Sequence, residues 1–321
     1  MATQKPILKF VVVLAAMAVT VSARISLGAP PVGPVTRPAS RPTNDIFARS
    51  NLVAWCIVPY DGKQRTPEQR AEMLSRIGLR KFSYDWRTKQ LPGFDTELDE
   101  LQKRGIELTG IWFPDSLNKD ARYLLGCLAK HHVHTQLWVS SWANYGNGQD
   151  ARVKAAAERM RVIAEEAGKI GCTLGLYNHG GWFGEPENEI AIIERLKNEG
   201  INNVGIVYSL HHGYGDLDRF SELFNKMVPY LLDVNLNGMT KISPRGGEPV
   251  VPVGQGTLDV SLLKVIRDSG YAGPIGIINE SSEDAELRLL DNIDGVNWLV
   301  PQLDGKPAGE RPRPRSWRQP K

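Results

Sequence analysis

Cys172-Thr173-Leu174-Gly175-Leu176-Tyr177-Asn178-His179 is a short apolar run that ends on polar and ring-bearing residues. Asn203-Val204-Gly205-Ile206-Val207-Tyr208, followed by Ser209-Leu210-His211-His212, repeats the pattern. Between them a helix opens on Pro186 and runs over residues 186–198, with proline in the first turn, where its missing N–H costs nothing. A strand, a helix and a second strand at this spacing form a parallel crossover unit. The same beat extends in both directions. Strands read over residues 52–58, 80–84, 106–113 and 133–139 before this unit, and over 230–236 and 274–278 after it. Helices read over 95–104, 119–130, 150–169, 217–227, 258–268 and 283–299. The first helix is announced by Thr66-Pro67-Glu68-Gln69, a cap residue with a glutamine placed to close a capping box. Eight strands, each followed by a helix, predict an α/β fold: a single-domain (β/α)8 barrel over residues 49–303. An open doubly wound sheet would more often carry a glycine-rich phosphate turn after the first strand, and Pro59-Tyr60-Asp61-Gly62 is not one.

In such a barrel the chemistry sits at the carboxyl ends of the strands and the opposite face serves stability. That rule divides the six histidines. His131, His132 and His134 lead into the fourth strand and belong to the bottom; His179, His211 and His212 follow the fifth and sixth strands, at the mouth. Trp86, Trp112, Trp138, Trp142 and Trp182 also fall at or just beyond strand ends. Indole faces pack against the C–H face of a sugar ring while amides and carboxylates bind its hydroxyls; packing of the barrel core is the competing reading, for Trp138 in particular. Asp85, Arg87, Asn178, Asn235, Asn237, Asn279 and Glu280 supply polar partners.

These strand ends resemble the xylose isomerase-like TIM-barrel superfamily of sugar isomerases and epimerases, related dehydratases and lyases, and an endonuclease branch. The likeness covers roughly residues 51–301. Its most specific pieces are Val253-Gly254-Gln255-Gly256-Thr257-Leu258-Asp259 and Gly270-Tyr271-Ala272-Gly273-Pro274-Ile275. The resemblance implies a divalent metal held by carboxylates and a histidine at the ends of strands five to eight. Here those positions read Tyr177, Ser209, Asn235 and Ile278. The family's companion histidine after strand six persists as His212, and Glu280 lies two residues past the vacated position on strand eight. With three carboxylates replaced, manganese or zinc would have only His179, His212 and Glu280 to bind, so weak or absent metal binding is expected.

The ends differ from the middle. The chain's net charge is +3, with +5 on residues 1–44 and +4 on residues 304–321, leaving −6 between. A nucleic-acid grip needs a basic surface on the folded part, so no nucleic-acid partner is expected and a nuclease is disfavoured. Lys5, Lys9, the apolar run from Phe10 to Val21 and the small residues Val21-Ser22-Ala23 read as a signal peptide over residues 1–23. Export follows, to the periplasm or beyond, with no stable membrane insertion after cleavage. Residues 24–48 read as a proline-rich linker and 304–321 as a basic, disordered tail. Cys56, Cys127 and Cys172 are odd in number and widely spaced, which predicts buried, inert thiols and no disulfide framework.

The function that these features favour is an exported isomerase, epimerase or lyase acting on a small-molecule carbohydrate, a sugar or keto-sugar. Its chemistry would be proton transfer next to a carbonyl. His179, His212 and Glu280 are the candidate catalytic groups; Asp85, Trp112, Trp138, Trp182, Tyr177, Asn235 and Asn237 are the candidate substrate contacts. The alternative is a non-catalytic sugar-binding barrel, or a degenerate enzyme of the same fold.

Overall fold

The computed structural model describes residues 45–241 and 250–316. Eight parallel strands close a barrel in chain order: β1 (Leu52–Trp55), β2 (Lys81–Tyr84), β3 (Glu107–Trp112), β4 (Gln136–Val139), β5 (Thr173–Tyr177), β6 (Val204–Ser209), β7 (Leu231–Leu236) and β8 (Ile275–Ile278). Pairing of β1 with β8, from Leu52 with Ile275 to Trp55 with Ile278, completes the circle. Around it stand α1 (Pro67–Arg76), α2 (Phe94–Lys103), α3 (Lys119–Lys130), α4 (Gln149–Lys169), α5 (Pro186–Asn198), α6 (Phe220–Met227), α7 (Asp259–Asp268) and α8 (Ala285–Leu303). The expected (β/α)8 barrel is the observed one.

Strands covered on both faces read as nearly continuous apolar runs, and β1, β6 and β8 are buried at every residue. The helices bury one stripe each, as Phe94, Leu98 and Leu101 do on α2. The Thr66 and Gln69 capping box forms in both directions, at 3.3 and 3.1 Å. One buried ion pair joins two helices: Arg70 of α1 donates to both carboxylate oxygens of Glu97 of α2, at 2.9 and 2.8 Å. Removing either partner would strand a buried charge, at a cost of about 3–5 kcal/mol.

Among the boundaries that differ from expectation, three do so for clear local reasons. β1 stops at Trp55 because Cys56 takes a left-handed φ of 56°, and the Val58 N–H leaves the ladder to donate to Asp85 Oδ1 at 3.1 Å. The expected start of α6 is a separate 3-10 turn, Tyr214–Arg219. The expected linker ends early: a 3-10 turn at Asp45–Phe47 buries Ile46 and Phe47, and Asn51 Nδ2 ties Ile46 O to Gly273 O at 2.9 Å each.

The basic C-terminal stretch is held over its described part. Arg315 pairs with Asp291 and Asp294 of α8 at 3.0 and 2.7 Å, Arg311 lies over the Trp298 ring, and Trp298 Nε1 donates to Gly309 O. The run that reads as solvated and disordered therefore follows α8 through residue 316, because α8 offers it carboxylates and an aromatic face. The signal-peptide reading and most of the linker lie outside the described residues. Among the described residues no helix is long and apolar enough to cross a membrane.

Candidate active site

A cavity of about 280 Å³ opens at the carboxyl ends of the strands, lined by Trp55, Cys56, Tyr60, Asp85, Arg87, Trp112, Tyr177, His179, His212 and Glu280. Six of the eight strand ends, all but those of β4 and β7, contribute through the last residue or the few beyond it. Trp55, Trp112 and Tyr177 end β1, β3 and β5; Asp85 follows β2 directly; His179 and Glu280 lie two residues past β5 and β8. His212 sits in the 3-10 turn that follows β6. Thus all three expected catalytic residues, and Asp85, Trp112 and Tyr177 of the expected substrate contacts, meet in one cavity.

The other four expected contacts do not line it. Trp138 is fully buried inside the barrel, stacked on Tyr177 at 6.0 Å and set edge-to-face with Trp55 at 4.6 Å. It fits because β3 carries Gly110 beside it, where a Cβ would stand 2.4 Å from the indole. Trp138 is the floor beneath the cavity. Trp182 instead pins the loop after β5 to α4, donating to Gln149 Oε1 at 2.9 Å and packing on Tyr145. Asn235 and Asn237 are buried within and just past β7. Asn235 fills the space that Gly276 leaves empty on β8, where a Cβ would lie 1.8 Å from its Oδ1.

The electrostatics are unequal across the cavity. Asp85 is 2 % exposed, its Oδ1 accepts from Val58 N, and its Oδ2 has no protein partner. Burial, only partly offset by that bond and by Arg87, pushes its carboxyl up to about 7. The imidazoles shift the other way. Burial, then the proximity of His179 and His211, pulls His212 down to about 3. Burial also lowers His179, against the pull of Glu280. The two rings meet edge-to-face at 4.4 Å, with Trp112 edge-on to His179 at 5.5 Å. Both imidazoles are therefore neutral near pH 7, and each carries one N–H to donate.

Sequence reasoning missed Tyr60 as a wall and gave Arg87 only a general polar role. Arg87 donates to Tyr60 Oη at 2.9 Å and to Trp86 O. Because a guanidinium only donates, the Tyr60 oxygen accepts there and its proton goes to Glu280, its other hydrogen-bond partner. Burial and Glu280 push the Tyr60 phenol up, which keeps it a donor. The signal was present in Pro59-Tyr60-Asp61-Gly62, examined only as a failed phosphate turn. Cys56 also reaches the wall, buried and free, and burial, then Asp85 and Glu280, raise its thiol well above the ordinary range, which favours the protonated form.

The positions where the family resemblance implies metal ligands do not fit a metal. Ile278 is apolar, Tyr177 is a buried phenol pushed up by burial, and Ser209 and Asn235 carry no charge. Among the described residues no three histidine, cysteine or carboxylate side chains gather in a metal-holding group, so His179, His212 and Glu280 do not form one. The Gly-x-Gly loop after β7 is likewise committed to itself. The amides of Gly254, Gly256 and Met239 all donate to the buried carboxylate of Asp259, at 2.7, 3.1 and 2.6 Å. A loop that could cradle a phosphate is filled by its own aspartate.

The profile of the xylose isomerase-like TIM barrels matches residues 124–299, more than half of the chain, and the chain belongs to that family. Solved structures with the same fold include 3-keto-D-glucoside 4-epimerase from E. coli, at 14% identity over 78% of this chain and 98% of that one, TM-score 0.54. A D-psicose 3-epimerase studied with D-fructose matches at 16% identity over 77% and 95%, TM-score 0.51. A xylose isomerase domain protein from Alicyclobacillus acidocaldarius matches at 17% over 80% and 99%, TM-score 0.56. At such identities the likeness is one of fold. No curated protein matches the chain.

Proposed function

We propose that the mouth cavity is the active site of an isomerase or epimerase acting on an unphosphorylated keto-sugar by proton transfer next to the carbonyl. The observation that carries this reading is the convergence of two carboxylates, two neutral imidazoles and aromatic walls in one cavity of about 280 Å³. Asp85, raised to about 7, is matched to a base that must take and return a proton near neutrality. Its carboxylate removes the proton from the carbon beside the carbonyl, and the electron pair moves onto the carbonyl oxygen as an enediolate. The N–H groups of His179 and His212 donate to that oxygen; preorganised donors of this kind stabilise developing charge without reorganising. Return of the proton to the former carbonyl carbon, with Glu280 carrying the neighbouring hydroxyl's proton to the enediolate oxygen, gives the isomer; reprotonation of the first carbon from its opposite face gives the epimer. Trp112 and Trp55 offer apolar faces to the ring. The family's sugar epimerases support the reaction class, and the loop filled by Asp259 supports an unphosphorylated substrate. The same proposal places the enzyme outside the cytoplasm, because Lys5, Lys9 and the apolar run before Ala23 read as an export signal.

Incubating the full chain with a panel of keto-hexoses and keto-glucosides in D2O tests the reading. Deuterium should appear on the carbon beside the carbonyl, with a new epimer or isomer in the NMR spectrum. Saturable sugar binding with no exchange at any carbon would instead establish a non-catalytic sugar-binding barrel, the reading favoured by Tyr177 and Ile278 at the vacated positions.

A further inference from the structure

The cavity has room for a single sugar ring, and a fixed, exposed indole stands beside it. At about 280 Å³ it lies at the lower edge of ligand pockets, commonly about 300–1,000 Å³, so a second ring has to leave through the mouth. Trp142 stands there. Among the described residues it is the most exposed large hydrophobic side chain, at 68%. Its ring is set edge-to-face against His179 at 6.0 Å, one side chain away from the cavity.

A single exposed aromatic is ordinary; this one is held in place from three sides. Behind it, Ser141 is buried and its hydroxyl donates to Asp115 at 2.7 Å, and that carboxylate is in turn clamped by Arg159. Ahead of it, the Ala143 N–H donates back to Ser141 Oγ, and Tyr145 Oη donates to the same oxygen at 2.6 Å while stacking on Phe183. Beneath it, the benzo ring lies against Gly180 and Gly181, both at positive φ, 74° and 66°. A Cβ at either would press on the indole at 3.1 or 3.2 Å. The backbone that carries Trp142 is thus ordered while the ring stays open to solvent. Desolvated by its own protein on one side only, such a ring gives stacking area to a ligand at little entropic cost.

We infer that Trp142 is the platform for a second sugar ring, and that the preferred substrate is a glycoside or disaccharide rather than a free monosaccharide. The inference rests on the sugar-binding part of the proposed function and not on its proton-transfer step. The glycosidic oxygen would lie near His179, with the outer ring over the indole.

Calorimetric titration of the full chain with three matched pairs tests it: glucose and cellobiose, xylose and xylobiose, mannose and mannobiose. At least one disaccharide should bind about tenfold tighter than its monosaccharide, the size expected of one good aromatic stack. In W142A the ratio should fall to near one, and W142F should restore most of it. No preference in any pair, no binding of any sugar, or a preference that survives W142A would overturn the inference. Isotope exchange separates the two claims. Exchange without a disaccharide preference leaves the catalytic reading standing and removes the platform; the preference without exchange does the reverse.

Discussion

The histidines at the two ends of the barrel are the same residue put to opposite uses. At the bottom His131 Nε2 meets Asp95 at 2.8 Å with Asp99 at 3.6 Å behind it, and His134 Nδ1 bonds Ile170 O at 2.9 Å. At the mouth His179 Nδ1 is buried with no protein partner, and His212 is packed against the other rings and pulled down to about 3. A buried polar group without a partner is costly, and folded proteins retain such groups where a ligand can complete them. At the bottom His131 and His134 are tied to neighbours in the fold; at the mouth His179 Nδ1 is not. The same contrast separates Glu97, whose two oxygens are clamped by Arg70, from Asp85, which lines the cavity and whose Oδ2 is buried without a protein partner.

The sharpest way to break this comparison is at Asp85. Asp85→Asn keeps the bond from Val58 N and removes the base, so isotope exchange should fall by about 10³-fold or more, while Tm at neutral pH holds or rises because the cost of burying that carboxylate is gone. A variant that stays active would move the base elsewhere. Next in size, His212→Ala should lose about 10²-fold in kcat through the missing oxyanion donor. His131→Ala should keep its turnover and instead lower Tm by about 2–4 °C. Steady-state kinetics and a thermal melt on the two variants read both effects.

A smaller effect separates the two buried titrating groups by sign. His212 is held at about 3 in the fold against an ordinary 6.5, so the unfolded chain takes up that proton first. Its contribution to stability is present above about 6.5 and is lost as pH falls toward 3. Asp85 runs the other way: with about 7 in the fold against 3.8, the folded chain holds the proton between those values and gains stability as pH falls through them. Between pH 7 and 4, H212N should therefore flatten the decline of Tm on acidification and D85N should steepen it. The smallest expected effect is that of a chelator: with no clustered ligand set among the described residues, dialysis against EDTA should change exchange by less than about twofold.

The barrel itself was legible because hydrophobic runs and helix caps repeat eight times; α3 and α5 fall where the sequence places them to the residue. The mouth histidines, Asp85, Trp112, Tyr177 and Glu280 were legible because strand direction alone decides which end a side chain reaches. What failed depended on neighbours across the barrel. Trp138 and Trp112 pair across adjacent strands and look alike in sequence, yet Gly110 beside Trp138 makes room for its indole inside the barrel, whereas Trp112 stays at the wall. Asn235 was lost to the site in the same way, drawn into the gap left by Gly276. The base-like environment of Asp85 was hidden too, because it arises from burial beneath the Cys56–Val58 turn and not from any motif. Arg315 reads as solvated because its partners, Asp291 and Asp294, lie on α8, separated from it by the chain's own turn.

The central claim, that a buried carboxylate at the barrel mouth moves a proton on a sugar carbon, is tested most directly by the pH dependence of deuterium exchange in wild type and Asp85→Asn. The account predicts a kcat/KM that rises about tenfold per pH unit on the acid side and levels above about 7, with that inflection gone in the variant. A wild-type profile that is flat across neutrality, or an inflection that persists without Asp85, would contradict it.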